Sequence, residues 1–294
     1  MTPNPPTPQV PPPESLPKPP PMPPGRSGAD PAAKPPAFGR REFRSMLPPR
    51  LVINAVEGWG KTSLLAHAPQ AALLYARGET GYETLASTGQ VPSIDAAMIS
   101  RWGELPALLE QFIAADQVPF RILGLDSLGC FEELAREHVL RESFGGNEDA
   151  FLAWGRGPDQ CATRWESLLG QLDQLWRKHL VSIVVLGHVK IKPFRDPGGA
   201  DYDRFISDVN ARIWEPTKRW ADAVLFGRFK SVVREAPGGG KGKGIGGTER
   251  ILMTQHHDAY DAKNRYGLPP VLTLAGVGPG QAHKHLMKHI RKER

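Results

Sequence analysis

Residues 55–63, AVEGWGKTS, constrain this chain more than any other stretch, because of what flanks them. Leu51, Val52 and Ile53 before them are apolar and mostly β-branched, and Leu64, Leu65 and Ala66 after them suit a helix. Strand, glycine loop and helix start, in that order, aim backbone N–H groups and a helix N-terminus at one point, which is how a chain wraps phosphates. Gly60, Lys61 and Thr62 match the second half of the pattern G-x-x-x-x-G-K-[ST], and Gly58 adds a flexible point. Ala55 stands at the first glycine of the pattern, where alanine fits if its φ is negative. The spacing predicts a nucleoside-triphosphate site over Ala55, Val56, Glu57, Gly58, Trp59, Gly60, Lys61, Thr62 and Ser63. Lys61 should reach the β- and γ-phosphates, and the Thr62 hydroxyl should meet Mg2+.

The rest of the chain supplies a frame for that loop. Strand-like runs at residues 51–55, 71–75, 120–125, 182–187 and 223–226 alternate with helix-like runs at 62–68, 105–115, 130–141 and 162–179. Near-continuous apolar strands between amphipathic helices predict an α/β fold with a mostly parallel sheet flanked by helices. Residues 229–234 and 250–255 flank GGGKGKGIGG, which reads as the long tip of an antiparallel C-terminal hairpin extension. Gly242, Gly244 and Gly247 have dinucleotide-loop spacing, but no helix pattern follows them, so that reading is rejected.

The expected boundaries are a proline-rich tail over residues 1–48, a folded domain over 49–276 and a basic tail over 277–294. The proline-dominated start has few large apolar residues and is expected to be disordered and extended. It has no apolar core of a signal peptide, and no run of about twenty apolar residues predicts a membrane span. Two cysteines, Cys130 and Cys161, form neither a disulfide framework nor a metal-ligand pattern, which fits a reducing cytoplasm. The net charge of +6 suits a nucleic-acid partner.

Three further residues carry candidate chemistry. In RILGLDSLG, residues 121–129, Asp126 ends an apolar strand and can hold Mg2+ and its waters, with a helix N-cap as the plainer alternative. Glu79 falls just past the strand that follows the loop helix, where the C-terminal edge of a parallel sheet opens toward ligand, and can orient or deprotonate water. Glu83 is the alternative, about one turn into the next helix. His188 ends another apolar strand, SIVVLGH, and can sense the γ-phosphate from the same crevice.

These elements, AVEGWGKTS, GETG, DSLG and GHVK, each after a strand and in this order, resemble the RecA-like core ATPases. More closely, the chain is similar to small phage and prophage RecA-like ATP-binding proteins linked to single-strand annealing and recombination. The echoes are WGRG at 154–157, GHVKIKPF at 187–194, KRWADAVLFG at 218–227 and HDAYDAKNRYGLP at 257–269, so the likeness spans roughly residues 49–270. It implies a RecA-like P-loop fold, Mg2+-dependent ATP hydrolysis with Glu79 as the catalytic glutamate, and a bacterial or phage-infected cell. It also implies a homo-oligomeric ring or filament with ATP between protomers. Lys263 and Arg265, two apart in AKNR and so on one side of an extended segment, are the candidates to reach a neighbour's γ-phosphate.

Single-stranded DNA is the expected partner, through two loops, residues 144–160 and 190–214. The second carries Lys190, Lys192, Arg195, Arg204 and Arg212 among Phe194, Tyr202 and Phe205, the mixture that tracks phosphates and stacks bases. Two other readings remain open: a small-molecule kinase, although no lid is evident, and a non-catalytic ATP-gated scaffold.

Overall fold

Five buried residues in a row make β1 (Arg50–Ala55) an interior strand, and the glycine loop joins it to α1 (Lys61–Ala66). The computed structural model describes residues 47–196, 198–234, 243–274 and 276–291, which belong to one unit, Ser45–Arg294. Except for Leu47 and Pro48, the expected proline-rich tail lies outside the described residues, as does the first half of the glycine-lysine tip, residues 238–242.

The chain continues through β2 (Ala71–Ala76), α2 (Gly81–Ser87), β3 (Asp95–Ile99), α3 (Glu104–Ala114) and β4 (Ile122–Asp126). After β4 come α4 (Leu128–Phe144), α5 (Glu148–Leu152) and, past one tight turn, α6 (Arg156–His179). Then follow β5 (Ser182–Phe194), β6 (Tyr202–Ser207), α7 (Ala211–Trp220), β7 (Ala223–Arg234) and β8 (Lys243–Met253). β9 (Lys263–Asn264), β10 (Val271–Thr273) and α8 (Pro279–Arg291) complete it.

The sheet runs β10-β8-β7-β1-β5-β4-β2-β3, parallel from β7 through β3 and antiparallel at β8 and β10. This is the expected α/β architecture, with the antiparallel extension beside β7. Alternate residues of each strand face opposite layers. Val52, Leu74, Leu125 and Val185 meet Phe131, Trp165 and Leu172 of α4 and α6 on one side. Ile53, Leu73, Leu186 and Leu225 meet Leu64, Leu65 and Leu286 of α1 and α8 on the other. Gly124 lets α1 close on the sheet, since a Cβ there would lie 2.0 Å from Leu65 Cδ2. Among the described residues no helix is long and apolar enough to cross a membrane.

The expected outline departs from the structure in three places. The segment 190–214 is no loop: β5 extends to Phe194, folds back as β6 with Phe194 opposite Tyr202, and leads into α7. The segment 144–160 is the end of α4, α5, the turn and the start of α6. The basic run after residue 276, helix-like in sequence over 283–294 but expected outside the folded domain, is helical over Pro279–Arg291 and packs on α1, with Ala282, Leu286, Met287 and Ile290 buried. Those four repeat at helical spacing, so burial of one face outweighs the high charge of the other.

Candidate nucleotide site

Ala55 is paired on both sides, with His188 of β5 and Gly227 of β7, so it is strand and not turn. Positive φ falls at Gly58 (68°) and Gly60 (97°) instead, which is why alanine is accepted at the first glycine position. Trp59, the bulky residue inside the loop, is 1% exposed. Its ring lies over Gly227, where a Cβ would come within 2.8 Å of it, and its Nε1 donates to the Arg228 carbonyl at 3.2 Å. The indole therefore points into the sheet and leaves the phosphate space open. Val56 N donates to the Gly227 carbonyl, and Arg250 Nε of β8 donates to the Trp59 carbonyl at 2.6 Å.

Beyond the loop, parallel register sets the other groups level. Ala55 is opposite His188, and Tyr75, Asp126 and Leu186 are opposite one another on β2, β4 and β5. Lys61 Nζ lies 3.4 Å from the Ala55 carbonyl and 3.3 Å from His188 Nδ1, and burial lowers its pKa against the pull of Asp126 and Glu79. Thr62 Oγ1 donates to Asp126 Oδ2 at 2.7 Å. Burial pushes the Asp126 carboxyl up to about 6, with the Thr62 hydrogen bond opposing. Glu79 Oε2 lies 3.7 Å from His188 Nε2 and 3.8 Å from Cys130 Sγ. The His188 ring beside it holds its carboxyl below the usual range despite burial. Glu83 accepts from Tyr75 Oη at 2.7 Å and does not line this crevice.

A hydroxyl and a carboxylate converging beside a glycine-loop helix N-terminus fit a small hard cation that keeps waters and nucleotide oxygens as its other ligands. Among the described residues no group of three or more His, Cys, Asp or Glu is placed to hold a metal ion by itself. Lys61, Thr62, Glu79, Asp126 and His188 thus line one open crevice with Gly58 and Gly60.

A family model for an AAA domain, AAA_24, matches residues 47–266, from before β1 through β9. The chain belongs to this AAA domain family. No curated protein matches the chain. Among solved structures it is similar to that of the RadB recombinase, with 13% identity over 72% of this chain and 84% of that one, at a TM-score of 0.37.

Not every residue singled out in the sequence reaches the crevice of this AAA domain. Lys263 donates to the carbonyls of Lys218, Arg219 and Ala221 at 2.7–3.0 Å, closing the C-terminal end of α7. Arg265 pairs with Asp222 at 3.0 Å. Both sit near the start of β7, the end opposite the glycine loop. On the β5–β6 hairpin, Lys190 donates to the Asp208 carbonyl, Arg204 pairs with Asp261 at 2.7 Å, and Phe205 packs on Phe226. Arg212, at the start of α7, is bound by Asp159 at 2.8 Å. Lys192 and Arg195 are exposed and form no ion pair among the described residues, and Phe194 is 38% exposed against Tyr202.

Two residues of the AAA domain were missed in the sequence. Arg250 lines the crevice from β8, and Asp208 N donates to the His188 carbonyl while its Oδ1 is buried without a partner among the described residues. Neither lies in a motif, and each reaches the site through a hairpin whose register one sequence does not give.

Proposed function

We propose that the protein is a RecA-like ATPase that binds single-stranded DNA and uses ATP to act in recombination or replication. The observation that carries this reading is the continuity of β5. His188, between Lys61 and Glu79, and the exposed Lys192 and Phe194 stand on one unbroken strand, Ser182–Phe194. A change in what His188 touches is therefore passed along rigid backbone into the basic, aromatic hairpin, whose chemistry suits single strands.

In this reading the loop N–H groups and Lys61 hold the triphosphate, and Thr62 and Asp126 are the residues that would hold Mg2+. Bound Mg2+ supplies charge neutralisation along the phosphates. Glu79, kept ionised by His188, accepts the proton of the attacking water. As that proton arrives, the His188–Glu79 contact weakens, and the ring is released toward Lys61.

Steady-state ATP turnover with and without single-stranded DNA tests the reading, in the wild type and in His188→Ala. DNA should raise wild-type turnover. His188→Ala should still bind both ligands separately and lose the stimulation. Turnover indifferent to DNA, together with no DNA binding, would overturn the DNA reading and favour an ATP-gated scaffold.

A further inference from the structure

The parallel strands have a second end, away from the glycine loop. There the starts of β1, β4 and β5 and one side of α8 enclose a cleft of about 650 Å3, a size that suits a small ligand or a short peptide segment. Its occupant does not collide with a nucleotide, which belongs at the opposite end of the sheet.

Four cations line the cleft: Arg121, and Lys284, Lys288 and Arg291 of α8. No carboxylate of a described residue lines it. Arg121, Lys284 and Lys288 are exposed, and their side chains make no hydrogen bond or ion pair among the described residues. His283 lines it too, 5% exposed, with Nδ1 buried and unpartnered among the described residues. A polar atom in that position is costly to leave unmatched, and a polar group entering the cleft would meet it.

The cleft is also apolar. Leu47 and Leu180 are 37% and 55% exposed, and they line it with Pro48, Pro49 and Ile122. Leu180 ends α6 with a φ of 51°, a left-handed conformation that glycine adopts at far less cost. Neither the turn nor the core needs a leucine there, since its side chain stands largely in water. No Phe, Tyr or Trp lines the cleft, so nucleic-acid bases have nothing to stack on.

We propose that this cleft docks a protein partner through a short segment carrying acidic and aliphatic side chains together. Its carboxylates meet Arg121, Lys284 and Lys288, and its aliphatic groups cover Leu47 and Leu180. The chain's own residues 1–46 do not match, because Lys18, Arg26, Lys34, Arg40, Arg41 and Arg44 outnumber Glu14, Asp30 and Glu42. A nucleic-acid backbone matches the charge but leaves the aliphatic wall uncovered.

A displayed library of short random peptides, selected on the full-length chain and counter-selected on Lys284→Glu/Lys288→Glu, tests the proposal. Both lysines are exposed, so this variant should melt as the wild type does by circular dichroism. Enriched peptides should combine several Asp or Glu with Leu, Ile or Val. In fluorescence anisotropy a selected peptide should lose about tenfold in affinity on the charge-reversed chain and about threefold on Leu180→Gly, which removes the aliphatic contact while relaxing the backbone. No enrichment over the charge-reversed chain would overturn the proposal. So would selected peptides that are acidic without aliphatic residues, or that bind Leu180→Gly as tightly as wild type. Peptides that reproduce a stretch of this sequence would assign the cleft to a second copy instead. Displacement by a single-stranded oligonucleotide whose own affinity falls equally on the charge-reversed chain would make it a phosphate track, and would overturn the protein partner.

Discussion

Glu79 is held between the His188 ring and the Cys130 thiol, while Glu83, four residues on, is spent on Tyr75. Of the two, only Glu79 lines the crevice with Lys61 and Asp126. Glu79→Gln should keep ATP affinity and slow turnover by about 10²–10⁴, whereas Glu83→Gln should turn over normally; single-turnover hydrolysis reads both. Residues of this kind were legible because each sits in a short motif after an apolar strand, so local order fixed its place. Lys61, Thr62, Asp126 and His188 share that property. Arg250 does not: it meets Trp59 across 191 positions, through a hairpin register no local pattern encodes. Trp59 itself is the opposite case. Its place in the loop was legible, but its direction depends on Gly227, which leaves the space its ring fills.

At the scale of elements, the projecting half of β5 shows why a strand can read as a loop. Ile191, Lys192, Pro193 and Phe194 are all exposed, so there is no buried face to mark the two-residue period. The exposure is also what leaves Lys192 and Phe194 available to a ligand. Replacing Lys190 and Lys192 by alanine should flatten the salt dependence of single-strand binding, each lost phosphate contact removing about 0.7 from the log–log slope. Phe194→Ala should cost about 1–3 kcal/mol with the slope nearly unchanged. Fluorescence anisotropy across a salt series separates the two.

The helix α8 carries a different signature. His283 is 5% exposed, with Nδ1 unpartnered among the described residues, and burial together with the charge of Arg291 lowers its pKa to about 4. Unfolded, the same side chain titrates at about 6.5. As pH falls through 6.5 the unfolded chain takes a proton that the folded one refuses, so stability drops until about pH 4, by at most about 3 kcal/mol. Asp126, raised to about 6, acts in the opposite sense over part of that window, because the folded state binds its proton first. Urea unfolding of wild type against His283→Leu isolates the histidine: the difference between them should shift steadily between pH 7 and pH 4.

For the whole molecule, the decisive fact is that β5 lies between β1 and β4 in the sheet. The strand that carries His188 is thereby placed between the strand that starts the loop and the strand that ends in Asp126. Alternation of strands and helices gave the layers and the parallel sense, but not this order, which is set by long crossovers such as α4 to α6. The same layering makes α8 indispensable. It covers the face of α1 with Ala282, Leu286, Met287 and Ile290, and burying larger aliphatic side chains of this kind contributes about 1.5–3 kcal/mol each. A chain ending at residue 278 should lose most of a typical domain's stability, and its thermal unfolding should no longer be cooperative by circular dichroism.

Trp59 is already packed against Gly227 and bonded to Arg228, and its carbonyl is already held by Arg250. The apex of the phosphate loop thus has little freedom left to surrender when a nucleotide arrives. Capture is then a matter of encounter, without a folding step in front of it. In stopped flow the observed rate should climb in proportion to nucleotide concentration and reach no plateau, the behaviour of a socket that stands ready before its plug.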